Sequence, residues 1–304
     1  MSATVVAIDL GTNTFLMLVA RRAAGGGVEV VEDHCRTPRL GAGLATSASL
    51  LPASIERGLV VLHEFAARLQ ALELSEVTVR AVGTAALRRA TNAAEFIERA
   101  RRECGIEIEV LAEQDEARLG WQAVSGGRPD ERLAVVDVGG GSTEVAADNG
   151  RSRCSVPIGA VVTSERFGLD CGEAAWSDER WSALNATLER ECAVFEPRPA
   201  ARVVALGGTG ANLAALEGAF ERFDPALAEG RRVRASSARS WAELLRRRSA
   251  RERLEFGIER ERAQILPAGL ACLAAVLERL GCADASVSGR GLRFGLAAEL
   301  LTIP

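Results

Sequence analysis

Two short runs in this chain have the composition of a phosphate clamp. Ala7-Ile8-Asp9-Leu10-Gly11-Thr12-Asn13 recurs as Val135-Val136-Asp137-Val138-Gly139-Gly140-Gly141, 128 positions on when Asp9 is set against Asp137. Each run is an apolar strand that reaches an Asp and then a Gly-rich turn. Glycine lets backbone N–H groups approach an anion closely. An Asp at the strand end can hold a divalent cation or its waters. One such motif alone also fits an ordinary Asp-Gly hairpin. Two copies at a domain-sized offset imply two related halves that clamp a phosphate chain from both sides. A third run, Val203-Val204-Ala205-Leu206-Gly207-Gly208-Thr209-Gly210, is a strand leading into another Gly turn.

The elements that must carry these turns follow from periodicity. Thr4–Leu10, Phe15–Arg21 and Val28–Asp33 read as a meander of three strands separated by turn residues. A helix is expected from about Pro52, with Ser49 as its cap and Ile55, Leu59, Leu62 and Ala66 on its apolar face. Val77–Val82 and Ile106–Leu111 read as strands, and Asn92–Cys104 as a helix that Gly105 ends. Another helix is expected over about Gln114–Val124. The second half restarts the pattern with strands Leu133–Val138, Thr143–Ala147 and Arg151–Val156, with Asn149-Gly150 as a hairpin turn. Short strands are expected at Val203–Leu206 and Ser286–Ser288. Helices are expected at Asp178–Cys192, Asn212–Leu216, Trp241–Arg248, Arg262–Leu280 and Leu292–Leu301. The polar stretch 126–132 reads as the link between the halves.

Composition narrows the chemistry. The chain has 304 residues, 48% hydrophobic and 26% charged, which suits about two soluble globular domains. A net charge of −4 argues against broad nucleic-acid or membrane binding, where basic excess supplies the affinity. Every basic side chain besides His34 and His63 is Arg, and there is no Tyr. A general base is therefore expected to be a carboxylate. The seven cysteines, Cys35, Cys104, Cys154, Cys171, Cys192, Cys272 and Cys282, form no C-x-x-C pair. They read as reduced, mostly buried thiols of a cytoplasmic protein. The first ten residues read as a strand rather than a secretory leader, and no apolar stretch is long enough to span a bilayer.

Residues 5–20, 133–147 and 203–210 resemble the three phosphate motifs of the actin, heat-shock chaperone and sugar kinase ATPases. The ordered set Asp9–Phe15, Gly83-Thr-Ala-Ala-Leu-Arg88, Asp115-Glu-Ala-Arg-Leu119, Asp137–Glu144, Pro157-Ile-Gly-Ala160, Gly207-Gly-Thr209 and Gly291-Leu-Arg293 is similar to the exopolyphosphatase and guanosine pentaphosphate phosphohydrolase family. It covers about residues 4–300. The resemblance implies two RNase H-like α/β domains, 1–124 and 125–304, with an active site in the cleft between them. The last helix, about 292–301, is placed to pack back across the first domain. Glu116 matches the family's catalytic carboxylate and Arg88 its phosphate-contacting Arg. Asp137 and Glu144, with Asp9, match positions associated with the cation, expected to be Mg²⁺. Asp9, Gly11, Thr12, Asn13, Thr14, Gly139, Gly140, Gly141, Ser142, Thr143, Gly207, Gly208, Thr209 and Arg293 are the expected phosphate contacts. Ser142 and Thr143, like Asn13 and Thr14, either donate hydrogen bonds to phosphate or complete their turns. Glu116, near a helix start, is expected to have its ionised form favoured by the helix dipole.

One departure stands out: Ala112-Glu113 occupies positions where many relatives carry Ser-Gly. The expected activity is release of terminal orthophosphate from inorganic polyphosphate. Alternatives are removal of the 5′ γ-phosphate from guanosine pentaphosphate, a non-catalytic sensor of polyphosphate or alarmone, and an ATP-dependent kinase or ATPase. The Asp115–Leu119 run speaks against the kinase. A homodimer is expected from the family alone.

Overall fold

The computed structural model describes residues 4–72, 77–126, 128–130, 132–169, 175–199, 201–220 and 223–302. The chain divides into two compact α/β units, Met1–Arg128 together with Leu292–Pro304, and Pro129–Gly291.

In the first unit the strands are β1 (Thr4–Leu10), β2 (Phe15–Arg22), β3 (Val28–Arg36), β4 (Val77–Gly83) and β5 (Ile108–Val110), in the order β3-β2-β1-β4-β5. β1, β2 and β3 run antiparallel, while β4 lies parallel to β1 and β5 parallel to β4. β1 is apolar along its length because it is covered on both faces. Val6, Ile8 and Leu10 pack with Ile55, Leu59, Leu62, Phe65 and Phe96. Val5 and Ala7 point the other way and pack with Leu119, Ala123, Leu296 and Leu300. The helix Glu113–Ser125 and the last helix Leu292–Thr302 therefore share one face of this sheet. Gly295 sits so close to Leu119 that any added Cβ would strike its carbonyl.

The second unit repeats the plan. β6 (Leu133–Val138), β7 (Thr143–Ala147) and β8 (Ser152–Val156) form the antiparallel meander. β9 (Arg202–Leu206) and β11 (Asp284–Ser288) add parallel strands, and β10 (Arg232–Arg234) closes the edge. The order is β10-β11-β9-β6-β7-β8. The hairpin after β7 is left-handed at Asp148, Asn149 and Gly150, as its Asn-Gly pair requires. The helix Leu266–Leu280 is buried almost all round, and its apolar residues fill the core with Leu184, Leu188, Ala238 and Ala242.

Several local expectations give way to tertiary context. Ser49 does not cap the helix Pro52–Ala71: its hydroxyl pairs with that of Thr91 at 2.6 Å, and Pro52 opens the helix after Leu51. The helix of residues 93–104 passes from α to π geometry at Ala100 before Gly105 ends it at φ 69°. The expected helix Arg262–Leu280 is two pieces, Arg260–Ala263 and Leu266–Leu280: Pro267 has no N–H to donate to the Ala263 carbonyl, which accepts from Arg253 Nη1 at 2.6 Å instead. The helix at Asn212 begins earlier, at Gly207, and Ala160–Arg166 is a further helix. The six described cysteines are free thiols, of which Cys192, Cys272 and Cys282 are buried; Cys171 lies outside the described residues. No helix among them is long and apolar enough to cross a membrane.

Candidate active site

The sequence echo is a structural repeat. In the first unit the turn after β1 is closed by the Gly11 N–H donating to the Thr14 carbonyl at 3.0 Å. In the second, the Gly139 N–H donates to the Ser142 carbonyl at 3.0 Å. A Cβ on Gly11 would come within 2.9 Å of the Thr14 carbonyl oxygen, so this turn requires glycine.

In the first unit β4 continues past Gly83 into a short helix, Ala85–Arg89. This carries Arg88 towards the start of the helix Glu113–Ser125. The Arg88 Nη1 donates to the Leu111 carbonyl at 2.9 Å and to Glu116 Oε2 at 2.7 Å. Both side chains are only 14% exposed. Arg88 Nη2 is buried and has no hydrogen-bond partner among the described residues. Glu113 Oε1 stands 3.9 Å from Arg88 Nε and is itself 57% exposed. Asp9 is in register with Leu16 and Val82. By strand alternation it is on the sheet face of Val5 and Ala7, the face that the Glu116 helix covers.

Burial pushes the Glu116 carboxyl above the ordinary carboxylate value. The Arg88 charge and hydrogen bond pull it back, and the Glu113 charge adds a smaller upward push. The net direction is upward, opposite to what a helix dipole alone would give. A base poised nearer neutrality is better matched to proton transfer.

In the second unit Asp137 and Glu144 are directly opposed on β6 and β7, so their carboxylates project from one sheet face. Glu144 is 3% exposed and accepts from the Ser155 hydroxyl at 2.8 Å. The Gly139–Ser142 turn is held from behind: Ala160 N–H donates to the Gly139 carbonyl at 2.9 Å, and Val161 N–H to that of Gly140 at 2.9 Å. A Cβ on Gly159 would lie 2.6 Å from the Gly140 carbonyl carbon. Gly207, at φ 75°, brings its backbone so near Asp137 that a Cβ would stand 3.1 Å from Oδ1.

Three expected phosphate contacts have their side chains engaged elsewhere. The Thr143 hydroxyl donates to the Ile158 carbonyl at 2.5 Å, and that of Thr209 to the Val138 carbonyl at 3.2 Å. Arg293 forks onto Asp33, Nε to Oδ1 at 2.9 Å and Nη2 to Oδ2 at 2.7 Å. Thr143 and Thr209 thus hold the turns in shape, and Arg293 fastens the last helix to β3. One candidate escaped the sequence reading. The Arg262 guanidinium lies against the α-carbon of Gly208, beside the third Gly turn. Its run, Glu259-Arg-Glu-Arg262, alternates charge like a solvated face, which gave no local signal.

Among the described residues no cluster of three or more His, Cys, Asp or Glu could hold a metal by itself. The Asp137–Glu144 pair nonetheless suits Mg²⁺, which typically takes one or two carboxylates and keeps its other positions for water and substrate phosphates.

Two mixed sheets, each with an Asp-Gly turn after its first strand, define an actin-like α/β protein. Comparison with known proteins agrees. The model of the Ppx/GppA phosphatase family matches residues 18–302. The crystal structure of the Aquifex aeolicus Ppx/GppA family member is 30% identical, with 99% of this chain and 98% of that one covered and a TM-score of 0.78. An exopolyphosphatase-like protein is 25% identical, with 98% of each chain covered and a TM-score of 0.87. An exopolyphosphatase from Cytophaga hutchinsonii shares the fold at 23% identity, with 98% of this chain and 97% of that one covered and a TM-score of 0.81. The chain belongs to the Ppx/GppA phosphatase family and is a phosphoanhydride hydrolase.

Proposed function

We propose that this hydrolase is an exopolyphosphatase, releasing terminal orthophosphate from linear inorganic polyphosphate. The observation that carries the reading is the Arg88–Glu116 pair, a carboxylate made more basic by burial and held 2.7 Å from a guanidinium. Ionised Glu116 takes a proton from water as the water oxygen attacks the terminal phosphorus. The bond from that phosphorus to its bridging oxygen breaks, and the chain leaves one phosphate shorter. Such transfer depends on positioning and charge stabilisation. Arg88 supplies the charge, with its unengaged Nη2–H available for a phosphate oxygen. Each unit offers backbone donors to phosphate oxygens by itself: the Gly11–Thr14 turn in the first, and the Gly139–Ser142 turn and the helix start at Gly207 in the second. Asp137 and Glu144, opposed on β6 and β7, would hold Mg²⁺, which would neutralise phosphate charge.

Guanosine pentaphosphate presents the same terminal phosphoanhydride and is the competing substrate. The deciding assay measures phosphate released with Mg²⁺ from short and long polyphosphate, guanosine pentaphosphate and ATP, with Glu116→Gln beside the wild type. Release that is greatest from polyphosphate and lost in the variant supports the reading. Binding without release from any of them would make the protein a sensor. The remaining expectations, a homodimer and a cytoplasmic location, are testable by light scattering and by fractionation.

A further inference from the structure

The segment following β3 is strapped to the first phosphate turn. Arg39 N–H donates to the Asn13 carbonyl at 3.0 Å, and Gly41 N–H to that of Thr12 at 2.8 Å. A Cβ on Gly41 would strike the Thr12 methyl group. Arg39 itself is left-handed, at φ 55°, a conformation that only glycine visits without cost. Strain of this kind persists where the surroundings over-determine it.

The strap and turn also carry unsatisfied polarity. Arg39 Nε, Thr12 Oγ1 and Asn13 Oδ1 are buried and make no hydrogen bond among the described residues. Thr12 is 3% and Asn13 4% exposed. Buried polar atoms are nearly always partnered, so the two donors among them, Arg39 Nε–H and the Thr12 hydroxyl, point to an acceptor ligand. A second cation supports the strap. Arg57 donates from Nε to the Pro38 carbonyl at 2.8 Å and from Nη2 to the Ser54 hydroxyl at 2.9 Å. Burial first, and the Arg39 charge second, pull Arg57 below the ordinary guanidinium value. Arg99, by contrast, faces Glu56 and Glu103. Arg39 and Arg57 have no such partner among the described residues. Two guanidiniums are thus gathered beside a phosphate turn.

We propose that Arg39, backed by Arg57, forms an anion subsite beside the Gly11–Thr14 turn that takes an inner phosphate of a linear phosphate chain. This rests on the reading that a phosphate chain is the substrate. Arg88 and Glu116 serve the terminal phosphate, so a separate pair of guanidiniums answers to another phosphate of the same chain. A guanidinium can fork onto two phosphate oxygens, and the Thr12 hydroxyl is free to add a third donor.

The test compares wild type, Glu116→Gln, Arg39→Gly and Arg39→Lys by thermal shift with Mg²⁺ and tripolyphosphate, long polyphosphate or GTP, and by steady-state phosphate release. Arg39→Gly relieves the left-handed strain, so its unliganded Tm is expected to be unchanged or raised by about 1–4 °C. It is expected to lose the tripolyphosphate-induced shift and to raise KM for polyphosphate about 10–100-fold, with kcat nearly unchanged. Arg39→Lys, which keeps the charge, is expected to recover part of both. An Arg39→Gly variant with the wild-type shift and KM would overturn the subsite, as would a wild type that tripolyphosphate does not stabilise. A GTP shift as large as that of tripolyphosphate, lost with it in Arg39→Gly, would overturn the inorganic-chain assignment in favour of a nucleotide triphosphate. Stabilisation of wild type and Glu116→Gln by tripolyphosphate without release by either would sink the proposed activity, while the subsite would still be decided by Arg39→Gly.

Discussion

Arg88 and Glu116, separated by 28 positions in the chain, meet through a 2.7 Å hydrogen bond in which both side chains are largely withdrawn from water. Two opposing effects act on the carboxyl. Burial disfavours its charge, and the guanidinium restores part of it. The balance leaves it above the ordinary carboxylate range, and the first predictions follow from that sign.

The acid limb of kcat/KM is expected to lie above the unperturbed Glu value of about 4.3, because only ionised Glu116 can accept the proton from water. Glu116→Gln is expected to lose about 10²–10⁴ in kcat while remaining folded. The stability effect has a definite sign. A carboxyl raised by folding costs nothing below its unfolded pKa and opposes folding increasingly as pH rises through the folded value. The variant's Tm should therefore gain on the wild type from pH 4 to pH 8. A wild-type limb inside the usual carboxylate range, or a variant that loses Tm relative to wild type as pH rises, would contradict this account.

Arg88→Ala removes the charge and the hydrogen bond that pull the Glu116 carboxyl down, together with the proposed donor to a phosphate oxygen. It should cost about 10²–10³ in kcat and move the acid limb further up. Arg88→Lys, which keeps the charge but not the fork, should leave the limb nearer to wild type. The pH profiles separate these variants from simple structural damage, which would lower activity without moving the limb.

What could be read from the sequence was local. β1 and β6 are continuous apolar runs ending in Asp-Gly turns, and those patterns depend on neighbours within a few residues. The Gly turns expected after Asp9 and Asp137 are there, closed by the Gly11 to Thr14 and Gly139 to Ser142 hydrogen bonds. What could not be read was set by distant packing. Ala160-Val-Val-Thr163 has β-branched residues suited to a strand, yet it folds as a helix, buried from Ala160 to Glu165 and hydrogen-bonded to the Gly139 turn. Arg293 looked like a phosphate ligand by position, but no local pattern shows that Asp33, 260 residues away in the chain, grips it. Arg262 was hidden in alternating surface-like charge.

The opposed carboxylates of Asp137 and Glu144 predict Mg²⁺-dependent stability. At Mg²⁺ near 100 times its Kd, wild type should gain about 2.7 kcal/mol. Asp137→Asn and Glu144→Gln should lose most of that gain, as read by thermal shift and by calorimetric titration of Mg²⁺ in the presence of tripolyphosphate. Equal Mg²⁺ stabilisation in all three proteins would remove both residues from the cation site.

Gly207 offers a sharper test of how tightly the backbone is fitted to Asp137. Gly207→Ala meets two penalties: the left-handed φ of 75°, costing about 1–2 kcal/mol for a residue with a Cβ, and a new methyl 3.1 Å from Asp137 Oδ1. Gly105→Ala, at φ 69° with nothing within 4 Å of its added Cβ, meets only the first. Both variants should therefore lose comparable stability in urea melts. Only Gly207→Ala should also lose kcat, by about tenfold or more, since displacing a positioned group by a fraction of an ångström raises the barrier. Because the two share the backbone cost, the difference between their activities isolates the contact with Asp137. If Gly105→Ala lost as much activity as Gly207→Ala, the effect would belong to global destabilisation. If neither lost any, Asp137 would tolerate movement that a cation ligand should not.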